Sequence, residues 1–342
     1  MREHAYLRPS DPAQAVAAVT ADPDASFLAG GTNLVDHLKL GIAAPGLLVD
    51  VRHLPLDAVE ETDDGLRVGA NVLNSDLAAD RAVRERWPVV SRALLAGASG
   101  QIRHQATTAG NLLQRTRCVY FQDRTTPCNK RDPGSGCSAD DDRAYGRYNA
   151  VLGASDQCVA VHPSDLAVAL VACDAVVQVL GEAGSRELPL EDLHRLPGAE
   201  PHRDTTLAHG ELITGVVLPR SVTSARSTYV KVRDRASFAF ALVSVAAGID
   251  LDPGTGTVRD VRLAWGGVAH RPWRARAAED ALRGAALSES TIRSAVAAEL
   301  EQARPAPGAA YKLAMLRNAT VLALSRLVPA LAVDLDRPEE DR

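Results

Sequence analysis

Apolar and polar positions in residues 1–55 alternate between helix and strand spacing. Asp11-Pro12 ahead of an apolar run at 13–19 predicts a capped helix with proline in its first turn. Ser26–Ala29 reads as a short strand that runs into Gly30-Gly31. Thr32 or Asn33 then caps a helix to Leu40, which Gly41 stops. Leu47–Val51 is a second strand, so this stretch forms a small α/β lobe. In residues 56–222 the pattern predicts a strand at 66–68, helices near 74–80 and 82–97, and a helix at 165–173. Further strands are expected at 175–180 and 211–218. Residues 223–335 show strand patterns at 228–232, 241–251 and 258–265, then helical patterns near 273–284, 289–303 and 309–327. Strands followed by helices predict an α+β layer. A charged tail occupies 336–342, and no internal repeat is visible.

The 342 residues suffice for two or three domains with a sizeable core. A net charge of −5 argues against nucleic-acid binding. The first residues lack the apolar core of a signal peptide. The most hydrophobic run, 166–180, is interrupted by Asp174 and too short to span a bilayer, so no membrane insertion is expected.

The candidate chemistry lies in small-residue loops and in a cysteine stretch bracketed by Thr107–Asn111 and His162–Leu166. Ala29-Gly30-Gly31-Thr32-Asn33 lies between a strand and a helix, where backbone amides and the helix dipole suit a pyrophosphate. It matches neither a dinucleotide fingerprint nor a P-loop. A second loop, 98–112, carries Ser99, Thr107, Thr108, Gly110 and Asn111. A bare structural turn is the competing reading of each loop.

Four of the five cysteines, Cys118, Cys128, Cys137 and Cys158, fall in a Pro- and Gly-rich stretch at about 112–163. Nine, eight and twenty residues separate them. No pair is C-x-x-C, which disfavours a zinc ribbon, and the odd count disfavours a disulfide framework. A stretch this irregular needs something to hold it, and a thiolate-ligated cluster would do so. The alternative is four unrelated buried thiols. Cys173, on an apolar helical pattern, fits that alternative. Asn111 to Cys118 and Cys158 to Asp165 are each seven residues, so each link spans less than ~25 Å. Lys231 and Arg233 stand on a strand from which they could reach an anionic cofactor.

These segments resemble the FAD-binding subunits of the molybdenum hydroxylases, the xanthine dehydrogenase and aldehyde oxidoreductase group. The resemblance rests on 27–34, Gln101-Ile102-Arg103, Ala106-Thr107, 110–114 and Pro163-Ser164-Asp165-Leu166-Ala167. Arg115–Cys118, Pro127–Arg131 and Pro133–Cys137 resemble the subset, typified by periplasmic aldehyde oxidoreductase, whose flavin subunit carries a [4Fe–4S] cluster.

The resemblance implies a vanillyl-alcohol-oxidase-like (PCMH-type) FAD fold of two lobes, 1–55 and 56–222, with a C-terminal α+β domain. It implies that Leu28, Ala29, Gly30, Gly31, Thr32, Asn33 and Leu34 bind the pyrophosphate. Ala98, Ser99, Ile102, Thr107, Gly110, Asn111, Ser164 and Asp165 would line the flavin, and Ile213 and Lys231 would complete the pocket. Cys118, Cys128, Cys137 and Cys158 would ligate the cluster. Ala109 stands where the family has glycine and would add a methyl where the backbone approaches FAD.

The implied role is an oxidoreductase subunit of a heterotrimer. A large molybdenum cofactor subunit and a small [2Fe–2S] subunit deliver electrons to FAD, which passes them to an acceptor. The compartment would be cytoplasmic, or periplasmic by export of the complex on a partner's twin-arginine signal. A stand-alone flavin reductase of the same fold and a non-catalytic, metal-clamped assembly subunit are the alternatives.

Overall fold

The computed structural model describes residues 3–141, 143–329 and 331. The expected tail at 336–342 lies outside them. Three sheets order the chain. The first holds β1 (Ala5–Leu7), β2 (Ala25–Leu28) and β3 (Leu47–Asp50), all parallel with β3 central. The helix Pro12–Ala21 crosses between β1 and β2, capped by the Asp11 side chain, which accepts from the Gln14 amide at 2.8 Å. Ala15, Val16 and Val19 on that helix pack on Val49 in the lobe's core.

The second sheet joins β4 (Val59–Glu61), β5 (Gly65–Gly69), β6 (Val176–Gly181), β7 (Gly184–Pro189) and β8 (Leu212–Pro219). It is antiparallel in the order β4-β5-β8-β6-β7. The helices Pro88–Ala96 and Asp165–Ala172 belong to the same core as this sheet. The single helix expected at 82–97 is two, Arg81–Arg86 and Pro88–Ala96. Pro88 has no amide to continue the helix, and its ring would strike the preceding turn.

The third sheet is antiparallel, in the order β12-β11-β10-β9, from β9 (Ser227–Val232), β10 (Val243–Leu251), β11 (Val258–Gly266) and β12 (Trp273–Arg274). The helices Arg276–Leu282, Glu289–Leu300 and Lys312–Leu327 share a core with it. The first of these starts later than expected because 273–274 extend the sheet. Among the described residues no helix is long and apolar enough to cross a membrane.

Candidate flavin cleft and cysteine hollow

A cleft of about 550 Å³ opens where the three sheets' loops meet. Of the expected cofactor residues, Thr32, Asn33, Ala98, Ile102, Gly110, Asn111, Ser164, Asp165 and Lys231 line it. The others support that wall or lie elsewhere. Leu28 ends β2 and Leu34 begins the helix Leu34–Leu40, so they fix the ends of the glycine turn. Ile213 does not reach the cleft. It is 1 % exposed and sits on β8 opposite Val179, in the core of the second sheet.

The glycine turn is shaped for close approach. Gly31 has φ +75, a left-handed conformation that a β-branched residue resists. A Cβ on Gly30 would lie 1.8 Å from the Gln105 carbonyl oxygen, so this glycine lets the first loop press on the second. A Cβ on Gly110 would meet the Thr107 hydroxyl at 2.9 Å and the Ala29 methyl at 3.8 Å, which places the same two loops in contact. The amides of residues 30–33 donate to no group among the described residues. Unpaired amides at a strand-to-helix turn are what an anionic ligand requires. Asn33 occupies the cap position, but its Oδ1 accepts from the Arg115 amide at 2.9 Å instead of capping the helix. It therefore ties the first loop to the cysteine segment.

The second loop is a run of capped turns. The Ser99 hydroxyl accepts from the Ile102 amide, and Thr107 accepts from the Gly110 amide at 3.2 Å. Thr108 turns away and donates to the Val72 carbonyl. Ser164 caps the helix Asp165–Ala172 and donates to Asn111 Oδ1 at 2.6 Å, joining the two ends of the cysteine segment. Ala109 packs toward the core of the second sheet and is not part of the cleft wall, so its methyl leaves the cleft unobstructed.

Lys231 and Arg233 are not free cations. Lys231 Nζ donates to Asp165 at 2.7 Å and to the Ala96 carbonyl at 3.2 Å, and Arg233 donates to the same carbonyl at 2.7 Å. Asp165 also accepts from the Tyr229 hydroxyl at 2.7 Å. This buried network holds the turn where Ala98 adopts φ +49. Arg103 and His162, in the segments singled out by sequence, also line the cleft; sequence reading missed Arg117 and Asn74 on its wall. Arg117, directly before Cys118, could have been found, because the chain must pass from Asn111 along the cleft to reach that cysteine. Asn74 is 2 % exposed, and its Oδ1 has no partner among the described residues, so a buried acceptor faces the cleft unsatisfied.

Beside the cleft lies a small hollow with an apolar lining, and Cys118, Cys128, Cys137 and Cys158 all face it. Cys173 does not; it is buried in the core of the second sheet. Cys128 and Cys137 pair across an isolated antiparallel bridge. The intervening turn uses Gly134 at φ +87 and Gly136 at φ +100. Asn129 Oδ1 accepts from the Gly136 amide at 2.8 Å, and the Ser135 hydroxyl accepts from the Cys128 amide at 3.0 Å. Burial pushes the Cys158 thiol up to about 12 and raises Cys118 and Cys137 as well. Becoming thiolates therefore requires cationic charge within the hollow. Among the described residues no three His, Cys, Asp or Glu side chains converge as ligands of a single metal ion. Cys118 and Ala160 line both the hollow and the cleft, so one shared wall separates them.

Residues 2–221 match the family described as FAD binding domain in molybdopterin dehydrogenase. Residues 227–327 match the CO dehydrogenase flavoprotein C-terminal domain. The chain is 50 % identical over 331 residues to the aldehyde oxidoreductase FAD-binding subunit PaoB of Escherichia coli, covering 95 % of this chain and 99 % of that one. It is 24 % identical over 304 residues to the glyceraldehyde dehydrogenase medium chain of Sulfolobus acidocaldarius, covering 89 % of each. Its fold is similar to that of a chain of carbon monoxide dehydrogenase from Hydrogenophaga pseudoflava. The TM-score is 0.74 at 24 % identity, covering 96 % of this chain and 99 % of that one. Glycine turns, unpaired amides and a three-sided cleft thus occur in a chain that belongs to the family of FAD-binding subunits of the molybdenum hydroxylases.

Proposed function

We propose that this chain is the flavin- and iron–sulfur-carrying subunit of a molybdenum-dependent aldehyde oxidoreductase. Lobes 1–55 and 56–222 would hold FAD, and a domain at 223–335 would cover it. One observation carries the reading: four cysteines face a single hollow whose wall, at Cys118 and Ala160, is also the wall of the flavin cleft. When bound, the two groups would supply one- and two-electron redox chemistry to each other across that wall.

The residues fit both groups. The amides of residues 30–33 suit a pyrophosphate, and the neighbouring loops 98–111 and 164–165 suit the flavin. Lys231 lines the cleft and is held there by Asp165 and the Ala96 carbonyl. Four thiols around one hollow, without the convergence that a single ion needs, suit a polynuclear cluster with one thiolate per iron, here [4Fe–4S]. The chain is 50 % identical to an aldehyde oxidoreductase FAD-binding subunit, and the cluster reading rests on its own four cysteines.

The chain would act in a heterotrimer with a molybdenum cofactor subunit and a [2Fe–2S] subunit. Co-expression with those subunits, size exclusion and rapid-scan absorbance test the assignment. Co-elution, with flavin bleaching on addition of an aromatic or aliphatic aldehyde, is the expected result. A free monomer whose flavin stays oxidised beside its partners would overturn it and favour a stand-alone reductase.

A further inference from the structure

Two cations and one carboxylate brace the hollow from behind. Lys130 is two residues from Cys128, lines the hollow and is 2 % exposed. Its Nζ donates to the Pro201 carbonyl at 2.7 Å and to Asp204. The other Asp204 oxygen accepts from Arg115 Nε, and Arg115 also donates to the His202 carbonyl at 3.3 Å. The main-chain amide of Arg115 donates to Asn33 Oδ1 of the glycine turn. Its guanidinium lies 4.7 Å from the ring centre of Phe121, which lines the hollow. One carboxylate thus joins a cation anchored on the cysteine hairpin to a cation anchored on the flavin loop.

We infer that Lys130 and Asp204 are positioning residues that set the reduction potential of the group held by the four cysteines, in opposite directions. The inference rests on the cluster reading. The triad Lys130–Asp204–Arg115 carries a net charge of +1, and the hollow's apolar lining screens it poorly. Reduction adds one negative charge to the hollow. A buried cation at its wall, Lys130, favours the reduced state and raises the potential; the half-buried Asp204 carboxylate behind it lowers it. Anchoring alone would not produce opposite signs, because loosening the hairpin through either residue disturbs the same cysteines.

The test is a potentiometric titration of the full chain, followed by the low-temperature EPR signal of the reduced cluster, with iron and sulfide counted in every sample. Lys130→Met should shift the midpoint down, Lys130→Arg should leave it near the wild type, and Asp204→Asn should shift it up. If Asp204→Asn does not fold, the Lys130→Met and Lys130→Arg pair decides alone. Unchanged midpoints, or shifts of the same sign in Lys130→Met and Asp204→Asn, with full iron in all, would overturn this inference and leave the cluster standing. Wild-type chain without iron and sulfide would overturn both.

Discussion

The glycine loops of the cleft and the cysteine segment that follows them are built in opposite ways. Each cleft loop is a junction of regular elements. The first ends β2 and begins the helix Leu34–Leu40; the second is a chain of side-chain-capped turns. The loops touch each other directly at Gly30 and Gly110. Residues 113–163 contain one helix among the described residues, the four-residue Val119–Gln122. There the backbone is held by side chains. Arg131 donates to the Tyr120 and Phe121 carbonyls at 2.7 and 2.8 Å, Asn129 bridges the hairpin, and Lys130 reaches across to Asp204. A cleft framed by secondary structure can stand ready for its ligand. A hollow framed by side chains and raised thiols depends on what fills it.

The largest effect should come from the hollow. Cys158→Ser removes one of the four proposed ligands and should lose most of the iron, with faster amide exchange across 127–138. Cys173→Ser, in the apolar core, should keep the iron. Equal iron loss in the two variants would erase the distinction between them.

Gly30→Ala sharpens the other side of the comparison. Its Cβ would overlap the Gln105 carbonyl, a backbone clash that costs at least ~1–3 kcal/mol and parts the two loops. Flavin released on gel filtration, with iron retained, is expected. Retained flavin would mean that the loop contact is unimportant to the cleft.

A smaller effect concerns pH. Burial holds His194 and His270 down at about 4, and both are neutral in the folded protein. Unfolded histidine takes its proton near 6.5. The stabilisation is therefore complete above about pH 6.5 and is lost as pH falls toward 4, by at most ~1.4 kcal/mol per pH unit for each histidine. Melting temperature measured from pH 7.5 to 4.5 should fall below pH 6.5, and His194→Gln with His270→Gln should flatten that slope. Parallel slopes would show that other groups govern the acid limb.

The smallest change tests Ala109, a position where the resemblance implies glycine. Ala109→Gly should leave flavin affinity unaltered, because the methyl packs on the core, and should cost ~0.5–1 kcal/mol of stability as a glycine inside a short helix. Tighter flavin binding by equilibrium dialysis would place the methyl in the cleft after all.

Much of this was legible in the chain. The strands and helices with clear apolar spacing appear where expected, and the helical context of Cys173 separated it from the other four cysteines. What was not legible depended on distant partners. β1 and β4 are three-residue strands with exposed side chains and become strands only by pairing with β3 and β5. Ile213 was placed near the cleft by position, yet its strand turns that side chain into the core. The ion pair of Lys231 with Asp165 was not legible because the two lie 66 residues apart in sequence. Asp204 carried no local signal; its importance comes from two cations brought to it from 115 and 130.

The central claim is that flavin and cluster share one wall in one chain. Counting iron, acid-labile sulfide and acid-released FAD in the purified full chain tests it most directly. The prediction is about four iron and about four sulfide for each FAD, all FAD free in the supernatant and the iron lost in Cys118→Ser. One FAD with no iron or sulfide, or with a single zinc in their place, would contradict it.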